Sequence, residues 1–174
     1  SLAEWINNNV SFPCSMVDRI TPVTTDDDRK HIQEKMGLID GWPVVCEDFI
    51  QWVVEDKFVA GRPQFENNSI VQLVDDVEPY ELMKLRLINA GHQAIAYFGL
   101  LMDYTFVHDV TQNELIASYL NAYMDREATS TLRPVPGIDV GKYKAKIVER
   151  FQNPNVLDTL LRLAFDASDR LFKF

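Results

Sequence analysis

Between Pro79 and Met102 the chain contains no further proline, its two glycines are isolated, and apolar residues recur at helical spacing. Leu82, Leu85 and Ile88 form one stripe, and Leu87, Ile95, Phe98 and Leu101 another. Two stripes predict a helix that packs on more than one side and around which the remainder is arranged. Glu78-Pro79 is its natural entry, because proline is tolerated in the first turn of a helix.

Further helices are predicted on both sides of it. Thr25 caps a helix over 26–36, with three aspartates at its positive end and Gly37 as its stop. Thr111 opens a segment to about Glu127 with a Thr-x-x-Glu capping box, and Leu115, Ile116, Tyr119, Leu120 and Tyr123 form its apolar face. After the break at Arg133-Pro-Val-Pro-Gly137, helices are expected over 141–151 and 155–171. Upstream, Leu2 to Asn7 reads as the last turns of a helix that the three asparagines stop. Val10 to Pro22 reads as extended, Pro43 to Val54 as one or two strands, and Ile70 to Val74 as another. No repeat or long linker divides the chain, so the predicted fold is mainly α with a few short strands.

Composition narrows the function classes. With 174 residues, 47% of them apolar and 25% charged, the chain suits one soluble globular domain. Such a domain buries roughly 70% of its unfolded surface and needs no disulfide or structural metal to fold. A formal charge of −9 repels nucleic acid and anionic lipid, so neither is an expected partner. The uncharged stretch from Ile95 to Met102 falls far short of the ~20 residues that cross a bilayer. Cys14 and Cys46 lack any ligand or redox spacing, which predicts buried thiols in a reducing compartment. With no basic-then-apolar leader, a cytoplasmic location is expected. The three histidines show no metal-binding pairing, and the seven glycines form no phosphate-binding loop, so no metal is expected and no nucleotide should bind tightly to this chain alone.

The chemistry-bearing residues concentrate in the central helix. At about 100° per residue, Lys84 and His92 lie roughly 80° apart and Asn89 roughly 140° from Lys84, on one broad side. A buried lysine is destabilised in its charged form and becomes able to accept a proton from an alcohol. An asparagine amide can donate to an oxygen developing negative charge, and a histidine can hold either partner. Gly91 beside the histidine leaves room for a ligand or another backbone. Spacing alone does not separate this reading from a helix that carries one Lys, one Asn and one His for packing. Asp18-Arg19, an adjacent acid and base, reads as a surface pair. Glu47-Asp48 and Glu55-Asp56 would point to opposite strand faces, which argues against a glycosidase.

Two segments carry a resemblance. Val17-Asp18-Arg19-Ile20-Thr21-Pro22 resembles the signature of the mannitol dehydrogenase family of long-chain polyol dehydrogenases. Lys84-x-x-x-x-Asn89-x-x-His92 looks like that family's catalytic motif at the appropriate interval, and the likeness extends from Val10 to Phe174. The resemblance implies a helical C-terminal domain of the 6-phosphogluconate dehydrogenase-like type over 1–174, with residues 1–9 as the end of an N-terminal Rossmann domain. That domain would be its partner and would bind most of the NAD. The implied activity is metal-independent hydride transfer between D-mannitol and D-fructose. Lys84 would be the general acid/base, Asn89 the oxyanion donor, and His92 the orienting group. Asp18, Arg162 and Arg170 resemble substrate-binding positions, and Glu81 and Arg19 supporting ones. The chain by itself would be inactive. A fructuronate reductase of the same family is the alternative enzyme, and a non-enzymatic helical binding module the alternative of another class.

Overall fold

A computed structural model describes residues 1–165. Ser1 and Glu4 form a reciprocal cap on α1 (Leu2–Asn9). The extended segment that follows yields β1 (Ser15–Asp18), with Met16 and Asp18 facing inward and Val17 outward. Thr25 and Asp28 form a capping box on α2 (Asp26–Met36), and Gly37, at φ 67°, supplies the left-handed turn that ends it.

Of the apolar run Pro43 to Val54, only the end is a strand. β2 (Gln51–Glu55) pairs antiparallel with β1, with Met16 opposite Val53, and parallel with β3 (Val71–Val74), with Trp52 opposite Val71. Pro43 to Ile50 has strand-forming composition but no ladder partner, because the four-residue β1 is fully paired by Gln51 to Val54. The three-stranded sheet has the order β1-β2-β3.

The central helical segment is continuous from Glu78 to Leu101 but not uniform. It consists of α3 (Glu78–Lys84), a π-turn (Leu85–Asn89) and α4 (Ala90–Leu101). Its Met83, Leu87 and Ile95 are fully buried in a core shared with Val53, Leu120, Ile147 and Leu160. Phe98 and Leu101, predicted for the apolar stripe, are 47% and 82% exposed.

The predicted capping box at Thr111 does not form. Thr111 ends a short helix, α5 (Val107–Thr111), and its hydroxyl donates to the carbonyls of Val107 and Phe151. Asn113 instead caps α6 (Glu114–Tyr123) by accepting from the N–H groups of Leu115 and Ile116. Leu115 is exposed, while Ile116 and Leu120 form the buried face. A second π-turn (Met124–Ala128) follows. Asp139 caps α7 (Val140–Phe151). α8 (Leu160–Ala164) starts later than predicted, because Thr159 pairs with Phe106 in an antiparallel bridge before its side chain caps the helix. The remainder of that predicted helix lies outside the described residues. α8 lies against α4 at Gly99, where an added Cβ would meet Leu160 Cδ1 at 2.6 Å and Val110 Cγ2 at 3.0 Å. No helix among the described residues is long and apolar enough to cross a membrane.

Candidate active site

The π-turn sits between two of the residues singled out in the sequence: Lys84 precedes it and Asn89 ends it. In this winding, main-chain bonds close over five residues, and the Ala90 N–H donates to Leu85 O. Residues five apart are therefore nearly one turn apart, and Asn89 comes closer to the side of Lys84 than the roughly 140° of a regular α-helix. Hydrophobic periodicity carries no signal for such a turn.

Lys84, Asn89 and His92 line one wall of a pocket of about 180 Å³. The end of β1 and the residues after it, from Asp18 to Thr21, form the second wall. Arg162 and Leu163 of α8 form the third. Three segments far apart in sequence thus bring Asp18, Arg19, Lys84, Asn89, His92 and Arg162 together. Glu81 is exposed and does not line the pocket. Arg170 lies outside the described residues.

Two buried polar atoms of this wall have no hydrogen-bond partner among the described residues: Asn89 Oδ1 and His92 Nε2. Orphaned buried groups are costly, which marks them as the positions a polar ligand would satisfy. The His92 ring stacks on Phe151 at 4.0 Å between centroids and 12° between planes. Burial, reinforced by the positive charges of Arg162, Arg150 and Lys84, pulls its pKa down to about 3. The imidazole is therefore neutral across the physiological range. Gly91 does not open space for a ligand as predicted: an added Cβ would meet Leu120 and Phe151 of the core.

Asp18 is not half of a surface pair with Arg19. It is buried, and both its oxygens accept from Arg150 at 2.9 Å. Arg150 also donates to Glu47 from Nε at 2.9 Å and from Nη2 at 2.6 Å, and its guanidinium lies 4.0 Å over the Phe49 ring. Burial opposes the arginine's charge, and the two carboxylates more than offset this, so it remains a cation. Tyr143 adds its hydroxyl to Asp18 at 3.3 Å, and burial first and that carboxylate second raise its pKa. Arg19 is exposed and donates from Nε to the Glu47 carbonyl at 2.8 Å. Sequence reading missed Glu47, Tyr143 and Arg150, because Arg150 is 132 residues from Asp18 and nothing local distinguishes it from other charged residues on α7.

Arg162 is held by a bidentate contact to buried Asp158 at 2.7 and 2.6 Å, which aims the guanidinium along the pocket edge. Cys14 is exposed and Cys46 partly buried, so neither is the fully buried thiol predicted. Among the described residues no group of three or more His, Cys, Asp or Glu side chains is arranged to hold a metal.

The family model of the mannitol dehydrogenase C-terminal domain matches residues 76–174, more than half of the chain. The model of the mannitol dehydrogenase Rossmann domain matches residues 1–67, a span that runs past α1 through β1 and β2. Mannitol dehydrogenase 2 of Saccharomyces cerevisiae is 46% identical over 172 residues, covering 99% of this chain and 34% of that protein. Mannitol 2-dehydrogenase of Pyricularia oryzae is 43% identical over 176 residues, covering 100% and 35%. The structure of Pseudomonas fluorescens mannitol 2-dehydrogenase in a ternary complex with NAD and D-mannitol superposes with a TM-score of 0.87 at 49% identity, covering 97% of this chain and 34% of that one. A D-sorbitol dehydrogenase in substrate-free form gives a TM-score of 0.87 at 38% identity, covering 98% and 35%. The chain spans about a third of the length of these relatives. Its mainly α fold with a short sheet is the one they share over this region, and the chain belongs to the mannitol dehydrogenase family.

Proposed function

We propose that this chain forms the substrate side of an NAD-dependent polyol dehydrogenase that interconverts D-mannitol and D-fructose. The observation that carries the reading is the convergence of Lys84, Asn89 and His92 on one pocket, with Asn89 Oδ1 and His92 Nε2 lacking any partner among the described residues. Relatives named mannitol 2-dehydrogenase support the substrate class, and a related structure binds NAD and D-mannitol. The residues present do not fit the dinucleotide's phosphates, since no glycine-rich loop of that type occurs in the sequence. They fit a hydroxylated substrate. When bound, NAD supplies the hydride acceptor.

In the oxidation direction Lys84 takes the proton of the reacting hydroxyl on Nζ and returns it during reduction. The Asn89 amide donates to the oxygen as it gains negative charge. The π winding supports this role, because it brings Asn89 nearer the side of Lys84 than a regular helix would. Neutral His92, immobilised by Phe151, offers Nε2 to a neighbouring hydroxyl without adding charge to the pocket. Arg162, fixed by Asp158, orients the far end of the polyol, and Asp18 acts through Arg150 to hold the opposite wall. No step requires a metal. The two free cysteines suit a cytoplasmic setting.

The test is NADH oxidation by the full-length protein with D-fructose and D-fructuronate compared side by side in EDTA. Fructose should turn over, Lys84→Ala should remove several orders of magnitude of kcat, and Asn89→Ala should lower it by about a hundredfold. Preference for fructuronate would move the assignment to the uronate branch. Undiminished turnover in Lys84→Ala would remove the lysine from the proton-transfer role.

A further inference from the structure

The segment that carries Asn89 is wound as a π-turn, a rare conformation that persists only where surrounding contacts favour it. The winding displaces a main-chain partner. The Ala90 N–H, which in an α-helix would donate to the Arg86 carbonyl, donates to Leu85 O instead. The Arg86 carbonyl takes its donor from another element: the Tyr123 hydroxyl, at the end of α6, donates to it at 2.8 Å. A second link runs the other way, as Arg86 Nη1 donates to the Thr131 carbonyl at 2.6 Å. Burial, aided by Glu127 and Tyr119, raises the Tyr123 pKa, so the phenol stays protonated and remains a donor. Tyr123 does not line the pocket that holds Lys84 and Asn89.

We propose that Tyr123 is a positioning residue for the reaction: its hydroxyl satisfies the Arg86 carbonyl, stabilises the π-wound turn, and so keeps Asn89 over Lys84. The inference rests on the dehydrogenase reading above. Without the hydroxyl, the Arg86 carbonyl can regain the Ala90 N–H as an α-helical partner. Rewinding then swings Asn89 back toward the roughly 140° separation of a regular helix, away from the oxygen that Lys84 deprotonates. The ring of Tyr123 and its packing are untouched by the change to phenylalanine, so the hydroxyl alone is at issue.

The experiment compares Tyr123→Phe with Tyr104→Phe in the full-length protein. Tyr104 likewise has a hydroxyl in a side-chain hydrogen bond, accepting from Asn113 at 3.2 Å, but serves no part of the pocket. Tyr123→Phe should lower kcat for polyol oxidation by about tenfold or more with KM little changed, as expected for a displaced reacting group. Tyr104→Phe should leave kcat unchanged. In an Asn89→Ala background, Tyr123→Phe should cost less than about twofold, because the hydroxyl acts through Asn89. Equal losses in both backgrounds, or an unchanged kcat, would overturn the proposal. Hydrogen exchange of the peptide covering residues 84–92 reads the turn without turnover. It should accelerate in Tyr123→Phe and not in Tyr104→Phe, and unchanged exchange would also overturn the proposal. An unsubstituted protein that turns over no polyol would sink the dehydrogenase reading instead, leaving the exchange result to decide the π-turn.

Discussion

His92 shows how far a residue's surroundings change its chemistry. In sequence it is a titratable group near Lys84; in the fold it is a neutral ring clamped against Phe151. Its pKa of about 3 lies below the ordinary value of 6.5, so on acidification the unfolded chain takes up the proton first. The stability that neutral His92 contributes is therefore complete above pH 6.5 and lost as pH falls from 6.5 toward 3, by at most about 1.4 kcal/mol per pH unit. His92→Gln should flatten the acid limb of a stability curve measured by urea unfolding between pH 4 and pH 7. An acid limb as steep as that of the unsubstituted protein would show that the histidine does not titrate this way. Asp18 makes the same point: its neighbour in sequence is Arg19, but its partner in space is Arg150.

The elements that build the pocket are joined by two contacts with measurable weight. Arg150 binds α7 to β1 through buried Asp18 and to the segment before β2 through buried Glu47. Truncating one member of such a set leaves uncompensated buried charge, so Arg150→Met should cost about 3–5 kcal/mol of unfolding free energy. A loss under about 1 kcal/mol in denaturant titration would mean that the carboxylates rehydrate easily. Gly99 joins α4 to α8 at a distance that no Cβ can occupy without Leu160 and Val110 moving. Gly99→Ala should lower stability by about 1–3 kcal/mol. Because α8 carries Arg162 and Leu163, the same change should raise KM for the polyol. Thermal unfolding and steady-state kinetics on one preparation would separate the two effects. The α2 helix, by contrast, has both ends set by residues adjacent in sequence: a Thr25–Asp28 box and a left-handed Gly37.

Over the whole molecule, the pocket is a surface shared by the β1 end, the π-turn with α4, and α8, and the relatives are about three times as long as this chain. The 174-residue chain alone should therefore show no NADH turnover, whereas the full-length protein should. Activity of the isolated chain with fructose and NADH would show that it holds the dinucleotide without a glycine-rich loop. What the sequence by itself determined was the helical character of the chain, the ends of helices such as α2 and α7, and the placing of Lys84, Asn89 and His92 within one helical segment. Those properties follow from residues within a few positions of each other: caps, breakers, apolar period and motif spacing. Tertiary structure decided the rest. The Thr111 capping box yielded to Asn113 because Thr111 spends its hydroxyl on Val107 and Phe151. Pro43 to Ile50 stayed outside the sheet because no strand was left to pair with it. The π-turn has no local signal, and the Asp18–Arg150–Glu47 network and the depressed pKa of His92 arise from packing between segments tens of residues apart or more. Burial and pairing across such distances leave no periodicity in the chain, and they convert a spacing of polar residues into the wall of a pocket.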